Sequence, residues 1–164
     1  MIEILSSDEH QTRELGQRLG RWLRIGDVVL LHGDLGAGKT TLTQGIGHGL
    51  NVASPVQSPT FTLVLEHEGT AASGEPVSLY HLDLYRLAGA DDLDSFGFDD
   101  YLAPTDGVSV IEWPERAATR LPERYLLVRL VALAPGQRQV LIEAVPPNGS
   151  LADRLRSFAA PERG

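Results

Sequence analysis

Apolar residues alternate weakly over residues 2–5, which predicts a short strand. Ser6-Ser7-Asp8-Glu9 follows as a helix start, with Ser6 or Ser7 as the cap and acids in the first turn. Leu15, Leu19, Trp22 and Leu23 recur at helical spacing, so an amphipathic helix is predicted over residues 8–23, stopped by Gly26. The run Asp27-Val28-Val29-Leu30-Leu31-His32, continuously apolar between turn signals, suits a strand buried on both faces. A glycine-rich segment, residues 33–38, separates it from a predicted helix running from Lys39 to about Leu50.

Residues 51–60 form a loop rich in Ser and Pro, and two strands, 61–68 and 77–82, are predicted around a flexible connection at 69–76, a long hairpin. One or two short helices are expected within 91–102, and residues 108–113 read as a buried strand stopped by Pro114. Strands at 125–133 and 139–145 flank the turn signal Ala134-Pro135-Gly136, and a closing helix is expected over 150–158. The pattern predicts one three-layer α/β domain over residues 1–158, with a frayed tail at 159–164. Its sheet is expected to be mixed, partly parallel near the first half and antiparallel later.

Composition narrows the function classes. The 164 residues include 22 acidic and 14 basic side chains, for a formal charge of −8, with 42% hydrophobic residues and no cysteine. Disulfides, a cysteine nucleophile and thiolate metal sites are excluded. No apolar run approaches the roughly 18 residues of a membrane span, and the N-terminus does not resemble a signal peptide, so a cytoplasmic protein is expected. Without a basic stripe, strong direct nucleic-acid binding is not expected. Asp91, Asp92, Asp94, Asp99, Asp100 and Asp106 read as a solvated face with helix caps, or as a docking surface for a basic partner.

Of the 14 basic residues 13 are arginine, and the single lysine, Lys39, stands in a segment that carries chemistry. Gly33-Asp34-Leu35-Gly36-Ala37-Gly38-Lys39-Thr40 matches the phosphate-loop pattern GxxxxGK[ST] in full, between a buried strand and a helix. The glycines let backbone N–H groups approach an anion, and the following helix turns its positive end toward it. Lys39 supplies a compact cation for the β- and γ-phosphates; Thr40 offers a hydroxyl to Mg²⁺, and Thr41 can reach the α-phosphate. A P-loop NTPase-like domain is therefore predicted. Two strand-end acids, Asp83 and Glu112, could face the phosphates, since ligands of open α/β sheets sit beyond the carboxyl ends of the strands. Thr60, on position alone, reads equally as a switch residue or as part of a turn before a strand. Trp113 reads as a core or hinge aromatic or as a functional one. Arg86, Arg116, Arg120 and Arg124 read as surface cations, one of which could be an arginine finger or lid residue. His32 and His81 are isolated and read as structural.

Four blocks, residues 33–41 (GDLGAGKTT), 58–64 (SPTFTLV), 81–87 (HLDLYRL) and 111–113 (IEW), together resemble the bacterial TsaE (YjeE) family of P-loop ATPases. That family takes part in making threonylcarbamoyladenosine at position 37 of tRNA. The likeness runs from about residue 8 to 145. It implies a small mixed α/β ATPase that binds ATP or ADP with Mg²⁺, is slow alone, and acts on a complex of the threonylcarbamoyl transferase and its inactive paralogue. By the same resemblance Thr40, Glu112 and Asp83 serve the metal, Thr60 and Asp83 order the γ-phosphate side, and Lys39 neutralises phosphate charge. Asp34, Leu35, Gly36, Ala37, Gly38 and Thr41 complete the nucleotide loop with Trp113 nearby, and Ser7 to Glu9 line the adenine edge. With Lys39 the only lysine, an Asn-Lys-x-Asp guanine reader is impossible, which favours ATP over GTP. The competing readings are a small-molecule P-loop kinase with a lid in 116–124, and a non-hydrolytic, ATP-gated assembly factor.

Overall fold

The computed structural model describes residues 1–53, 55–56, 63–87, 89, 91–117 and 119–159. Seven strands form one sheet: β1 (Ile2–Ser6), β2 (Val28–His32), β3 (Val64–Thr70), β4 (Pro76–Asp83), β5 (Gly107–Glu112), β6 (Tyr125–Ala134) and β7 (Gln137–Val145). Their spatial order is β1-β7-β6-β2-β5-β4-β3. β6, β2, β5 and β4 are mutually parallel, whereas β3 on one side and β7 and β1 on the other pair antiparallel. Parallel and antiparallel pairing therefore divide between the centre and the two flanks, not between the first and second halves of the chain. The β3–β4 hairpin is antiparallel in its own right and sits beside a parallel strand.

β2 shows why its apolar run is continuous. Val29 and Leu31 point into a cluster with Leu15, Leu19, Leu42 and Ile46, while Val28 and Leu30 point into a second cluster with Leu82, Leu93, Phe98 and Ile111. The first cluster lies under α1 (Glu9–Trp22) and α2 (Lys39–Gly49), and α4 (Ser150–Ala159) adds Leu155 and Phe158 to it. The second is covered by α3 (Asp91–Ser95) and the 3₁₀ turn Phe98–Tyr101. Tyr125 and Leu127 at the start of β6 still pack against this second cluster, but farther along β6, at Val131 and Leu133, and at Leu5 of β1, the same face is exposed. The three layers are thus unequal.

Helices α1 and α2 touch backbone to backbone. A Cβ on Gly16 would lie 2.3 Å from the Leu42 carbonyl oxygen, and one on Gly45 would lie 2.2 Å from that of Arg13. Only glycine permits this approach, which draws the start of α2, and with it the phosphate loop, against α1.

Several local expectations need correction. Asp8 caps α1, accepting from the Gln11 N–H at 2.8 Å, because the helix begins one residue later than Ser7 would require. Its C-cap is Leu23, three residues before Gly26. Gly69 and Thr70 belong to β3, so the β3–β4 connection is a short turn, closed by the Ala71 N–H on Glu75 O and Gly74 N–H on Ala71 O. Trp113 falls outside β5, in the left-handed region at φ 56°. Of the tail expected at 159–164, Ala159 belongs to α4 and the rest lies outside the described residues.

Candidate functional site

The carboxyl ends of the neighbouring strands β2, β5 and β4 meet at one place, where an open parallel sheet ordinarily presents its ligand site. β2 runs into the glycine loop, and Asp83 and Glu112 end β4 and β5 as direct register partners. Partners in parallel strands project to the same face, here the α1–α2 face, because Leu79 and Val108 precede them there in the first cluster. A cavity of about 390 Å³ opens at this point, bounded by the loop and Lys39 on one side and by Asp83, Glu112 and Trp113 on another.

Within the loop, Gly36 and Gly38 take φ values of 77° and 104°, which side chains resist, and this lets α2 begin at Lys39 without a side-chain cap. The first turn of α2 thus keeps unspent N–H groups directed at the cavity. Lys39 is buried; its Nζ donates to Gly33 O at 2.5 Å and stands 3.6 Å from the centre of the Trp113 ring. Burial pushes the Lys39 pKa down, opposed by the carboxylates of Glu112, Asp83, Glu115 and Asp34. The left-handed backbone at Trp113 lays its ring over the ammonium, and Tyr85 packs on that ring at 4.8 Å between centres.

Burial raises the pKa of Asp83 above the ordinary aspartate range; the Tyr85 N–H, donating to Oδ1 at 3.0 Å, pulls the other way, and Glu112 adds to the rise. Glu112 itself is buried, and fully buried His81 approaches its Oε2 with Nε2 at 2.5 Å. His81, which reads from sequence as isolated and structural, holds one of the two site carboxylates.

Two nearby carboxylates and the hydroxyl of Thr40 are all oxygen donors, the set that suits a hard divalent ion completed by phosphates and water. Among the described residues no group of three or more His, Asp or Glu is arranged to hold a metal without such a partner.

Leu35, Gly36, Gly38, Lys39, Thr40, Thr41, Asp83, Glu112, Trp113 and Glu9 all line the cavity. Asp34 and Ser7 are exposed and do not line it, and Ala37 is buried behind the loop. The Ser7 N–H donates to Gln11 Oε1 at 2.8 Å, at the start of α1. Thr60 lies outside the described residues. Three further lining residues, Thr12, Gly136 and Arg138, carry no sequence motif.

A family model described as "Threonylcarbamoyl adenosine biosynthesis protein TsaE" matches residues 6–140. The chain belongs to the TsaE family. It is 43% identical over 159 residues to the tRNA threonylcarbamoyladenosine biosynthesis protein TsaE of a Nostoc species, covering 94% of this chain and 92% of that one. It is 46% identical over 125 residues to the TsaE of Mycobacterium tuberculosis, covering 73% and 72%. Its fold matches the crystal structure of Bacillus subtilis YdiB with a TM-score of 0.76 at 26% identity, over 96% of this chain and 93% of that one. The TsaE match spans the loop, both carboxylates, Trp113 and Arg138; β1 before Ser6, the end of β7 and α4 lie beyond it. Among the described residues, no helix is long and apolar enough to cross a membrane.

Proposed function

We propose that this chain is a Mg²⁺-dependent ATPase acting in tRNA threonylcarbamoyladenosine biosynthesis, the process that the names of its relatives state for those proteins. The observation that carries the reading is the pairing of Asp83 with Glu112 across from Lys39, at the mouth of a complete phosphate loop. A polyphosphate would find backbone N–H groups, the positive end of α2 and one ammonium on one side. A metal arriving with it would find the two carboxylates and Thr40 on the other. Asp83, Glu112 and Thr40 would hold a Mg²⁺ ion there, which would supply charge neutralisation for the polyphosphate.

The chain's own groups then have distinct tasks. Lys39 leaves Gly33 O and the Trp113 ring for phosphate oxygens, and the desolvation that depresses its pKa is relieved by the anion's charge. His81 keeps Glu112 oriented from behind, leaving Oε1 for the cavity side. Asp83, the less buried acid, is the better placed to meet an attacking water or the metal's water shell. The base of the nucleotide fits the side of the cavity formed by Glu9, Thr12 and Gly136.

An acidic chain of formal charge −8 does not attract the tRNA backbone, so the proposed target is protein: the threonylcarbamoyl transferase with its inactive paralogue. The kinase reading gains no support from its expected lid. Arg120 is bonded to Asp94 and Asp99 and Arg124 to Ser150, and only Arg116 approaches the site, over the Tyr85 ring at 5.8 Å.

Calorimetric titration of Mg·ATP tests the binding half of this proposal. Lys39→Ala is expected to weaken binding by about 1.5–3 kcal/mol, the scale of a hydrogen bond to a charged group. Unchanged affinity would overturn the assignment of Lys39.

A further inference from the structure

Arg138, in the second position of β7, makes contacts for which neither the phosphate-loop pattern nor the proposed chemistry has a use. Its Nε donates to Ala37 O at 2.8 Å and its Nη2 to Gly36 O at 3.0 Å. Its Nη1 donates to Gln137 O at 2.9 Å and to Ala134 O at 3.4 Å, within its own hairpin. Four of the five guanidinium N–H donors thus go to main-chain carbonyls. Among the described residues no carboxylate pairs with it, so a full positive charge stands against the outer side of the loop, at the wall of the cavity.

The two loop carbonyls matter because of what lies at the other end of each peptide unit. Gly36 C=O shares a plane with the Ala37 N–H, and Ala37 C=O with the Gly38 N–H. A trans peptide holds its C=O and N–H opposed, so a donor that grips the oxygens decides where the N–H groups point. The Ala37 N–H is spent on Asp34 O at 3.0 Å, closing the turn. The Gly38 N–H is turned away from the guanidinium and left for an anion. Flanking glycines at φ 77° and 104° would otherwise let these units rotate at little cost.

We propose that Arg138 is the positioning residue of the phosphate site. It holds the 36–37 peptide unit in the turn that the Ala37 N–H closes and the 37–38 unit with its N–H toward the anion, and so sets affinity for the polyphosphate portion of the ligand. Polarisation of both carbonyls by the cation strengthens the opposed N–H donors in the same step. A planar fork serves two successive carbonyls at a fixed spacing; an ammonium on a flexible stem has three rotatable donors and imposes no such spacing. This inference rests on the nucleotide reading of the cavity.

The test is calorimetric titration of Mg·ADP and of Mg·tripolyphosphate into the native chain, Arg138→Lys and Arg138→Gln. Amide exchange at residues 36–38 and the melting temperature of each ligand-free protein are followed in parallel. Both variants are expected to bind both ligands at least about tenfold more weakly, with faster exchange confined to the loop and melting within a few degrees of native. Native-like affinity in Arg138→Lys with loss only in Arg138→Gln would overturn the clasp in favour of bare charge. Native-like affinity in both variants would overturn any role for Arg138, and a general loss of protection and melting temperature would make it a stability residue instead. A native chain that binds neither ligand would overturn the nucleotide reading itself, and the proposal with it.

Discussion

His81 and Glu112 meet diagonally across β4 and β5: Nε2 of the imidazole lies 2.5 Å from Oε2 of the carboxylate, although Glu112 is the register partner of Asp83 and His81 that of Val110. Both side chains are buried, and among the described residues the opposite ring nitrogen of His81 has no partner. The contact therefore ends at the carboxylate and serves to hold it. His81→Ala leaves a buried carboxylate oxygen without its donor and is expected to cost about 1–3 kcal/mol of stability. In urea unfolding the loss should shrink when Glu112→Gln is already present. Equal stability of native and His81→Ala protein would contradict the pairing.

The raised pKa of Asp83 gives a pH-dependent prediction of definite sign. The folded state holds the Asp83 proton more tightly than the unfolded chain, so this group's contribution to stability is complete below the ordinary aspartate pKa. It is lost as pH rises through the raised value, and at neutral pH the ionised carboxyl weighs against the ligand-free fold. Asp83→Asn, which keeps the acceptor for the Tyr85 N–H, should therefore melt higher than the native chain at pH 7, and the difference should close as pH falls toward 4. A difference that grows on acidification would contradict the shift.

Gly45→Ala tests the packing that delivers the loop. The added Cβ would sit 2.2 Å from Arg13 O, a backbone atom with no room to yield without separating α1 from α2. A loss of about 1–3 kcal/mol in denaturant unfolding is expected, with weaker nucleotide binding because the start of α2 moves. Alanine there without effect on either would contradict the close contact.

Trp113 should report on the site by its fluorescence. Its ring carries the Lys39 ammonium in the ligand-free chain, and phosphate recruits that ammonium away. The native protein is expected to change emission when Mg·ADP is added, and Lys39→Met to show the altered emission already without ligand. An emission unaffected by either change would place the ammonium elsewhere.

What was legible beforehand was what is local along the chain. The phosphate loop spells its chemistry in eight consecutive residues, and Asp83 and Glu112 end apolar strands whose direction can be inferred. The strand order is harder. The antiparallel pairing of β3 with β4 follows from the hairpin signal, but nothing in residues 61–82 says that the hairpin joins the sheet at β5. Arg138 lies 101 positions from Ala37 and meets it only because the β6–β7 hairpin folds over the loop. His81 reads as an isolated polar residue until β5 is laid beside β4. The glycines of α1 and α2 weaken each helix alone, and their purpose appears only where the two backbones touch. The acidic stretch lies at the surface, and two of its exposed acids have a partner within the chain: Arg120 bonds Asp94 and Asp99 at 2.8 Å each and ties α3 to the following turn.

The central claim is tested most directly by phosphate release from Mg·ATP, with and without the purified threonylcarbamoyl transferase complex, for the native chain and for Glu112→Gln. The account predicts slow turnover alone, stimulation by the complex, and loss of both in Glu112→Gln with nucleotide still bound. Native protein that binds Mg·ATP yet releases no phosphate with the complex present would contradict it, and would leave bound nucleotide, not its hydrolysis, as the working state.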